Sequence, residues 1–189
     1  MQLWQMGAGA LAAKIRARAL SCEEAVGAAV ARMRAVNPAL NAVTRDTGDA
    51  ALATARAYDA ALARGADLGP LAGVPVTIKD NVDVKGEATP NGMPALKDMI
   101  APDDSPVVTN LRDAGAIFIG RTNTPELSLR AFTDNPLFGL TKNPWDAKLN
   151  CGGSSGGAGS AVAAGIGALA HGNDIGGSQR YTAYNCGVA

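Results

Sequence analysis

The sequence predicts an α/β fold, and three observations carry that reading. Alanine-rich helical patterns fill the chain up to about Arg64. Two short apolar stretches, Val74–Lys79 and Ala116–Gly120, have the length and bulk of buried strands. The second follows directly on a helix opened by Ser105-Pro106, and a helix feeding a buried strand is the building unit of α/β domains.

Taken in order, Ala8–Ala19 reads as a helix with Leu11 and Ile15 on one face and Lys14, Arg16 and Arg18 mostly off it. Ser21-Cys22-Glu23-Glu24 is a capping box, with Ser21 accepting from a first-turn N–H and Glu24 reaching back. The helix it opens carries Val26, Val30 and Met33 and is expected to stop at Asn37-Pro38. A third helix is expected from Asp49 to Arg64, closed by Gly65. These helices hold no concentrated chemistry, so residues 1–68 read as a helical scaffold and residues 69–189 as the catalytic part of the same domain.

Beyond Gly69-Pro70 the character changes. Val74–Lys79 is a strand ending on a lysine, Asp80-Asn81 a turn, and Val82–Val84 a second short strand. The Ser105-Pro106 helix ends at Gly115 and leads into the Ala116–Gly120 strand. Thr124-Pro125-Glu126 opens a short helix, and the stretch from Asp134 to Asn150 is loop-like. Ala161–Ala164 reads as a helix following a run of glycine and serine.

With 189 residues the chain is long enough for one domain with a substantial core, and 47% hydrophobic residues fit a soluble globular protein. Lys+Arg and Asp+Glu balance at 17 each, which speaks against a nucleic-acid groove or an anionic membrane surface as partner. Three unpatterned cysteines, Cys22, Cys151 and Cys186, make neither a disulfide framework nor a zinc site and suit a reducing compartment. The first residues lack a basic leader and no apolar run is long enough to span a membrane, so the expected location is the cytoplasm.

The chemistry concentrates between Asn150 and Arg180. Ser154 and Ser178 each follow a glycine pair, and no charged residue occurs between Lys148 and Asp174, so the stretch is suited to burial. Glycine leaves room beside a reacting carbonyl and lets backbone N–H groups turn inward toward an oxyanion. A Gly/Ser-rich linker has a similar composition, but Ala161–Ala164 and the apolar residues from Ile166 to Leu169 argue for packed structure.

Gly153-Ser154-Ser155-Gly156-Gly157 matches a nucleophile elbow centred on Ser155, yet the single histidine, His171, precedes Asp174 and reverses the order that fold needs. His171 is expected in a loop or packed in the interior. No Gly-Lys-Ser/Thr phosphate loop is present, and Gly165–Ala170 lacks the ribose-binding acid of a dinucleotide site. A serine without histidine needs another base, and a lysine kept neutral by burial can serve. Lys79 ends an apolar run that would draw its stem into the core, whereas Lys85 sits in a polar turn. A strand-end ion pair with Asp80 is the competing reading of Lys79.

Gly73–Asn81, Gly120-Arg121-Thr122-Asn123, Gly152–Gly157 and Asp174–Ser178 together resemble the amidase signature family, in its order and spacing. Asn143-Pro144-Trp145 and the region Ser21–Asn41 fit as well, so the resemblance covers nearly the whole chain. It implies a mixed β-sheet core flanked by helices and a Ser–cis-Ser–Lys triad: Ser178 the nucleophile, Ser154 the bridging serine after a cis bond from Gly153, and Lys79 the base. It implies an oxyanion hole from the N–H groups of Ile175, Gly176, Gly177 and Ser178, supporting roles for Ser155 and Arg180, and no metal or cofactor.

Three departures stand out. Asn150-Cys151 replaces a common Ser/Thr-Pro, Gln179 and Thr182 replace Ile and Pro after the nucleophile, and the chain stops within an apolar motif, as the N-terminal portion of a longer amidase would. The expected function is hydrolysis of a small-molecule amide through an acyl-enzyme, by a protein that could form homo-oligomers. The glutamine amidase component of a glutamyl-tRNA amidotransferase and an inactive chain acting by association are the alternatives.

Overall fold

The computed structural model describes residues 2–189, with Met1 outside them. Its centre is a four-stranded mixed sheet of β1 (Val43–Asp46), β2 (Pro75–Lys79), β3 (Ile117–Thr122) and β4 (Leu169–His171), in the order β1-β3-β2-β4. β2 runs parallel to both β3 and β4, and β1 closes one edge antiparallel to β3. The helices are α1 (Ala8–Arg16), α2 (Cys22–Leu40), α3 (Gly48–Ala63), α4 (Pro106–Asp113), α5 (Gly156–Ala163) and α6 (Arg180–Cys186).

Strand alternation divides the core. Ile117 and Ile119 point into a cluster with Leu11, Ile15, Val26, Val30, Met33 and Ala161, which joins α1, α2, α3 and α5 to one face of the sheet. Val76 and Ile78 point the other way, against Val82, Val84 and Val108. Residues on both sides of Leu68 therefore build one core. No helix among the described residues is long and apolar enough to cross a membrane.

The capping box forms: Ser21 Oγ accepts from the Glu24 N–H at 3.0 Å and the Glu24 carboxylate accepts from the Ser21 N–H at 2.9 Å. The helix then runs past the expected stop at Asn37, through Pro38 to Leu40. A proline in the last turn removes only one helical bond. The end is set by Asn41 in the left-handed region (φ 53°) and by Asn37, whose Oδ1 accepts from the N–H groups of Ala42 and Val43. Val82–Val84 is not a strand. Its valines alternate into the core, but the Val82 carbonyl accepts from the Arg121 guanidinium instead of from a neighbouring strand. The first helix ends at Arg16, three residues short of Ala19, and the turn after Thr124 is one 3₁₀ turn, Glu126–Ser128.

Candidate active site

Three elements bring the candidate residues Lys79, Ser154 and Ser178 to one point. β2 carries Lys79, which is fully buried at the strand end opposite Thr122 of β3. The Gly153–Ser154 peptide bond is cis, and α5 begins two residues after Ser154. Gly153 is required there, since a Cβ on it would stand 2.6 Å from the backbone of Arg130 and Phe132. The loop between β4 and α6 brings in Ser178.

Lys79 Nζ lies 2.7 Å from Ser154 Oγ, and Ser154 Oγ lies 3.0 Å from Ser178 Oγ. Nζ has two further neighbours, Ser155 Oγ at 3.0 Å and Asn173 Oδ1 at 2.7 Å. Lys79 and Ser154 are buried, while Ser178 is only partly covered. The chain of contacts thus runs from a dry amine to an accessible hydroxyl. Burial pushes the Lys79 ammonium down to about 7, against the pull of Asp174. The amine is therefore far easier to discharge near neutral pH than an exposed lysine.

A neutral amine has two N–H donors and one lone pair. Asn173 Oδ1 can only accept, and the Ser155 hydroxyl already donates to the Asn173 carbonyl at 3.1 Å. Ser154 Oγ donates to Ser178 Oγ, but Ser178 is a hydroxyl and can take over as the donor, whereas the Asn173 carbonyl cannot. Ser154 is therefore the one neighbour that can turn its proton to the lone pair, its oxygen then accepting from Ser178.

The Ser178 residue is itself held. Its carbonyl accepts from the Ser155 N–H at 3.3 Å and from Thr182 Oγ1 at 2.9 Å, so the threonine at the departing position supplies a bond. Asp174 accepts from the N–H groups of Gly177 (2.6 Å), Gln179 and Arg180, and from two nitrogens of the Arg180 side chain, each at 3.0 Å. These bonds hold its carboxyl well below the usual carboxylate range, the Arg180 guanidinium contributing most. Arg180 thus reaches the loop that carries Ser178 through Asp174. Of the four N–H groups expected in the oxyanion hole, that of Gly177 is engaged by Asp174. Those of Ile175, Gly176 and Ser178 make no bond to protein among the described residues.

The sequence profile of the Amidase family matches residues 24–189. The chain belongs to the amidase family. It is 62% identical over 187 residues to an indoleacetamide hydrolase of Bradyrhizobium diazoefficiens, covering 99% of this chain and 36% of that one. It is 43% identical over 188 residues to a glutamyl-tRNA(Gln) amidotransferase subunit of Carboxydothermus hydrogenoformans, covering 100% of this chain and 39% of that one. A solved 6-aminohexanoate cyclic dimer hydrolase superposes with a TM-score of 0.87 at 38% identity, covering 99% of this chain and 37% of its own. The amidase chain thus spans little more than a third of the length of these relatives.

Other residues of this amidase-family site carry no signal of their own in the sequence. Asn173 and Asn81 meet beside Lys79, and Arg121 donates to the Lys79 carbonyl at 3.3 Å. The asparagines stand in or beside recognised motifs, but an uncharged amide gives no local sign of its partner. His171 ends β4 beside Ile78, whose side chain points away from the Lys79 face, and burial lowers its affinity for a proton. Lys85, the rival base, is exposed and pairs with Asp103 at 3.2 Å.

Proposed function

We propose that the protein hydrolyses the C–N bond of an amide through an acyl-enzyme on Ser178. The observation that carries this reading is the continuous path from Ser178 Oγ through Ser154 Oγ to the buried Lys79 amine, in steps of 3.0 and 2.7 Å. As Ser178 Oγ attacks the carbonyl carbon, its proton passes to Ser154 Oγ while the Ser154 proton passes to Lys79 Nζ. The carbonyl oxygen takes up the negative charge, facing the N–H groups of Ile175, Gly176 and Ser178, with Gly177 joining if Asp174 shares its donor. The C–N bond then breaks as the leaving nitrogen regains the proton by the reverse path. Water, deprotonated along the same path, cleaves the ester and restores Ser178. Ser155 and Arg180 support this indirectly, one as a neighbour of Nζ, the other by tying Asp174 to the nucleophile loop.

The substrate class we assign is a small primary amide of an aryl-acetic acid, because the indoleacetamide hydrolase relative is 62% identical. The 43% identity to an amidotransferase component makes glutamine the second substrate to assay. Residues 1–68 act as scaffold for the catalytic residues of 69–189.

A fluorophosphonate probe tests the assignment. The label is expected on Ser178, and Lys79→Ala should abolish the rise of labelling rate with pH. Label mapped to Ser155 or Cys151, or an unchanged rate in Lys79→Ala between pH 6 and 9, sinks it.

A further inference from the structure

Lys79 Nζ donates to Asn173 Oδ1 at 2.7 Å. We infer that Asn173, oriented by Asn81, fixes the direction in which the neutral Lys79 amine points its lone pair, making both asparagines positioning residues for proton transfer. The inference rests on the amide-hydrolysis reading above.

A neutral amine on its stem has three staggered orientations, one for each place the lone pair can point. The three polar neighbours of Nζ are Ser154 Oγ, Ser155 Oγ and Asn173 Oδ1. A lone pair facing Asn173 Oδ1 would meet another lone pair. Facing Ser155, it would find a hydroxyl whose proton is committed to the Asn173 carbonyl. Facing Ser154, it meets a hydroxyl that donates to Ser178, a partner able to become the donor in its place. With that bond reversed, one orientation satisfies every group, and in it the lone pair faces Ser154.

This selection holds only while Asn173 presents oxygen rather than its NH2 to the amine. Asn81 secures that. Asn173 Nδ2 donates to Asn81 Oδ1 at 3.1 Å, which fixes the amide's sense. Asn81 Nδ2 donates to Ser128 Oγ at 3.0 Å and reaches Asn173 Oδ1 at 3.4 Å. Ser128 Oγ in turn bonds Asn91 Oδ1 at 2.8 Å and Thr124 Oγ1 at 3.0 Å. The amide pair is thus anchored to the loop after β3. The charged and titratable groups around the amine are Asp174 and Arg180 on the nucleophile loop, His171 on β4, Arg121 on β3 and Asp80 next to it on its own chain. Asp174 is occupied by Arg180 and three backbone N–H groups, and the acceptor-only atom in contact with Nζ is the neutral Asn173 Oδ1.

The experiment follows the fluorophosphonate acylation rate of the intact protein against pH in wild type, Asn173→Asp, Asn173→Ala and Lys79→Met. In the wild type the rate should rise through an inflection near 7. Asn173→Asp puts a carboxylate against the amine and should move the inflection up by about one to three pH units, with a plateau near wild type above it. Asn173→Ala removes an acceptor of the ammonium and frees the rotor. Its inflection should move down while its plateau falls about tenfold. A purely structural role would not drive the two inflections in opposite directions.

Superimposable inflections in wild type and both Asn173 variants overturn the inference while leaving the lysine base in place. Lys79→Met with the wild-type profile overturns the amide-hydrolysis reading itself. Should circular dichroism show the Asn173 variants unfolded, Asn81→Leu decides: a plateau lowered several-fold supports the orienting role, and a wild-type plateau refutes it.

Discussion

Replacing Arg121 by methionine should cost far more than a surface substitution. Arg121 is only 2% exposed, yet it is charged. Its Nη1 donates to Glu87 Oε2 at 3.1 Å and to the Ala88 carbonyl at 3.3 Å, and its Nη2 donates to the carbonyls of Val82 at 2.5 Å and Lys79 at 3.3 Å. Methionine fills much of the volume but leaves the Val82 and Ala88 carbonyls without this donor, while the Lys79 carbonyl keeps the Val82 N–H at 3.2 Å. At about 1 kcal/mol or more for each orphaned group, the loss reaches about 2 kcal/mol. The unpaired Glu87 adds less, because its side chain is 24% exposed and regains water. The cost of about 3–5 kcal/mol for breaking a fully buried pair is an upper bound here, since the carboxylate left behind is in contact with water. Lysine keeps the charge but not the planar fork, so Arg121→Lys should fall between wild type and Arg121→Met. Urea unfolding followed by tryptophan fluorescence measures this as a shift in midpoint at constant slope. Arg121→Met within about 1 kcal/mol of wild type, or Arg121→Lys indistinguishable from it, would refute the account of the guanidinium as the organiser of this segment.

Other perturbations probe separate parts of the molecule. Burial pushes the Asp80 carboxyl up to about 7, although Arg121 and Arg45 pull it down, and its Oδ2 has no partner among the described residues. Because the folded state holds this proton more tightly than the unfolded one, wild-type stability should fall as pH rises from about 4 to 7. Asp80→Asn should therefore match wild type near pH 4 and exceed it by up to about 4 kcal/mol above pH 7, read from urea midpoints across pH. Gly157→Ala would put a methyl 2.7 Å from the Ala42 carbonyl and against the Asn123 backbone, so it should destabilise by about 1–3 kcal/mol in thermal unfolding. The thiols of Cys22, Cys151 and Cys186 are buried and pushed up to about 12, 11 and 12. Alkylation at pH 8 should be negligible in the native protein and complete after denaturation; fast native labelling of any of the three would contradict their burial.

How far the sequence discloses this molecule depends on whether a residue's partner is local. The Ser21–Glu24 capping box and the apolar run into Lys79 are legible because their logic closes within a few positions. β1 is not: Thr44, Arg45 and Asp46 are polar and partly exposed, and the segment is a strand only because β3 offers an edge. The end of α2 is misread for the same reason, since Asn37 trades its stop signal for bonds to residues five and six positions on.

At the site, motif resemblance links Lys79, Ser154 and Ser178 to one another across long stretches of chain, and the structure puts their side chains in contact. What pattern reading cannot supply is the direction of each bond. Gly177 stands among the expected oxyanion donors by its place in the loop, yet its N–H is spent on Asp174. Asn173 and Asn81 carry no charge to attract notice, yet together with Ser155 they leave the lysine lone pair one satisfied direction. A base is defined by where its lone pair points as much as by how readily it sheds a proton, and that direction is set by neighbours that take no part in bond breaking.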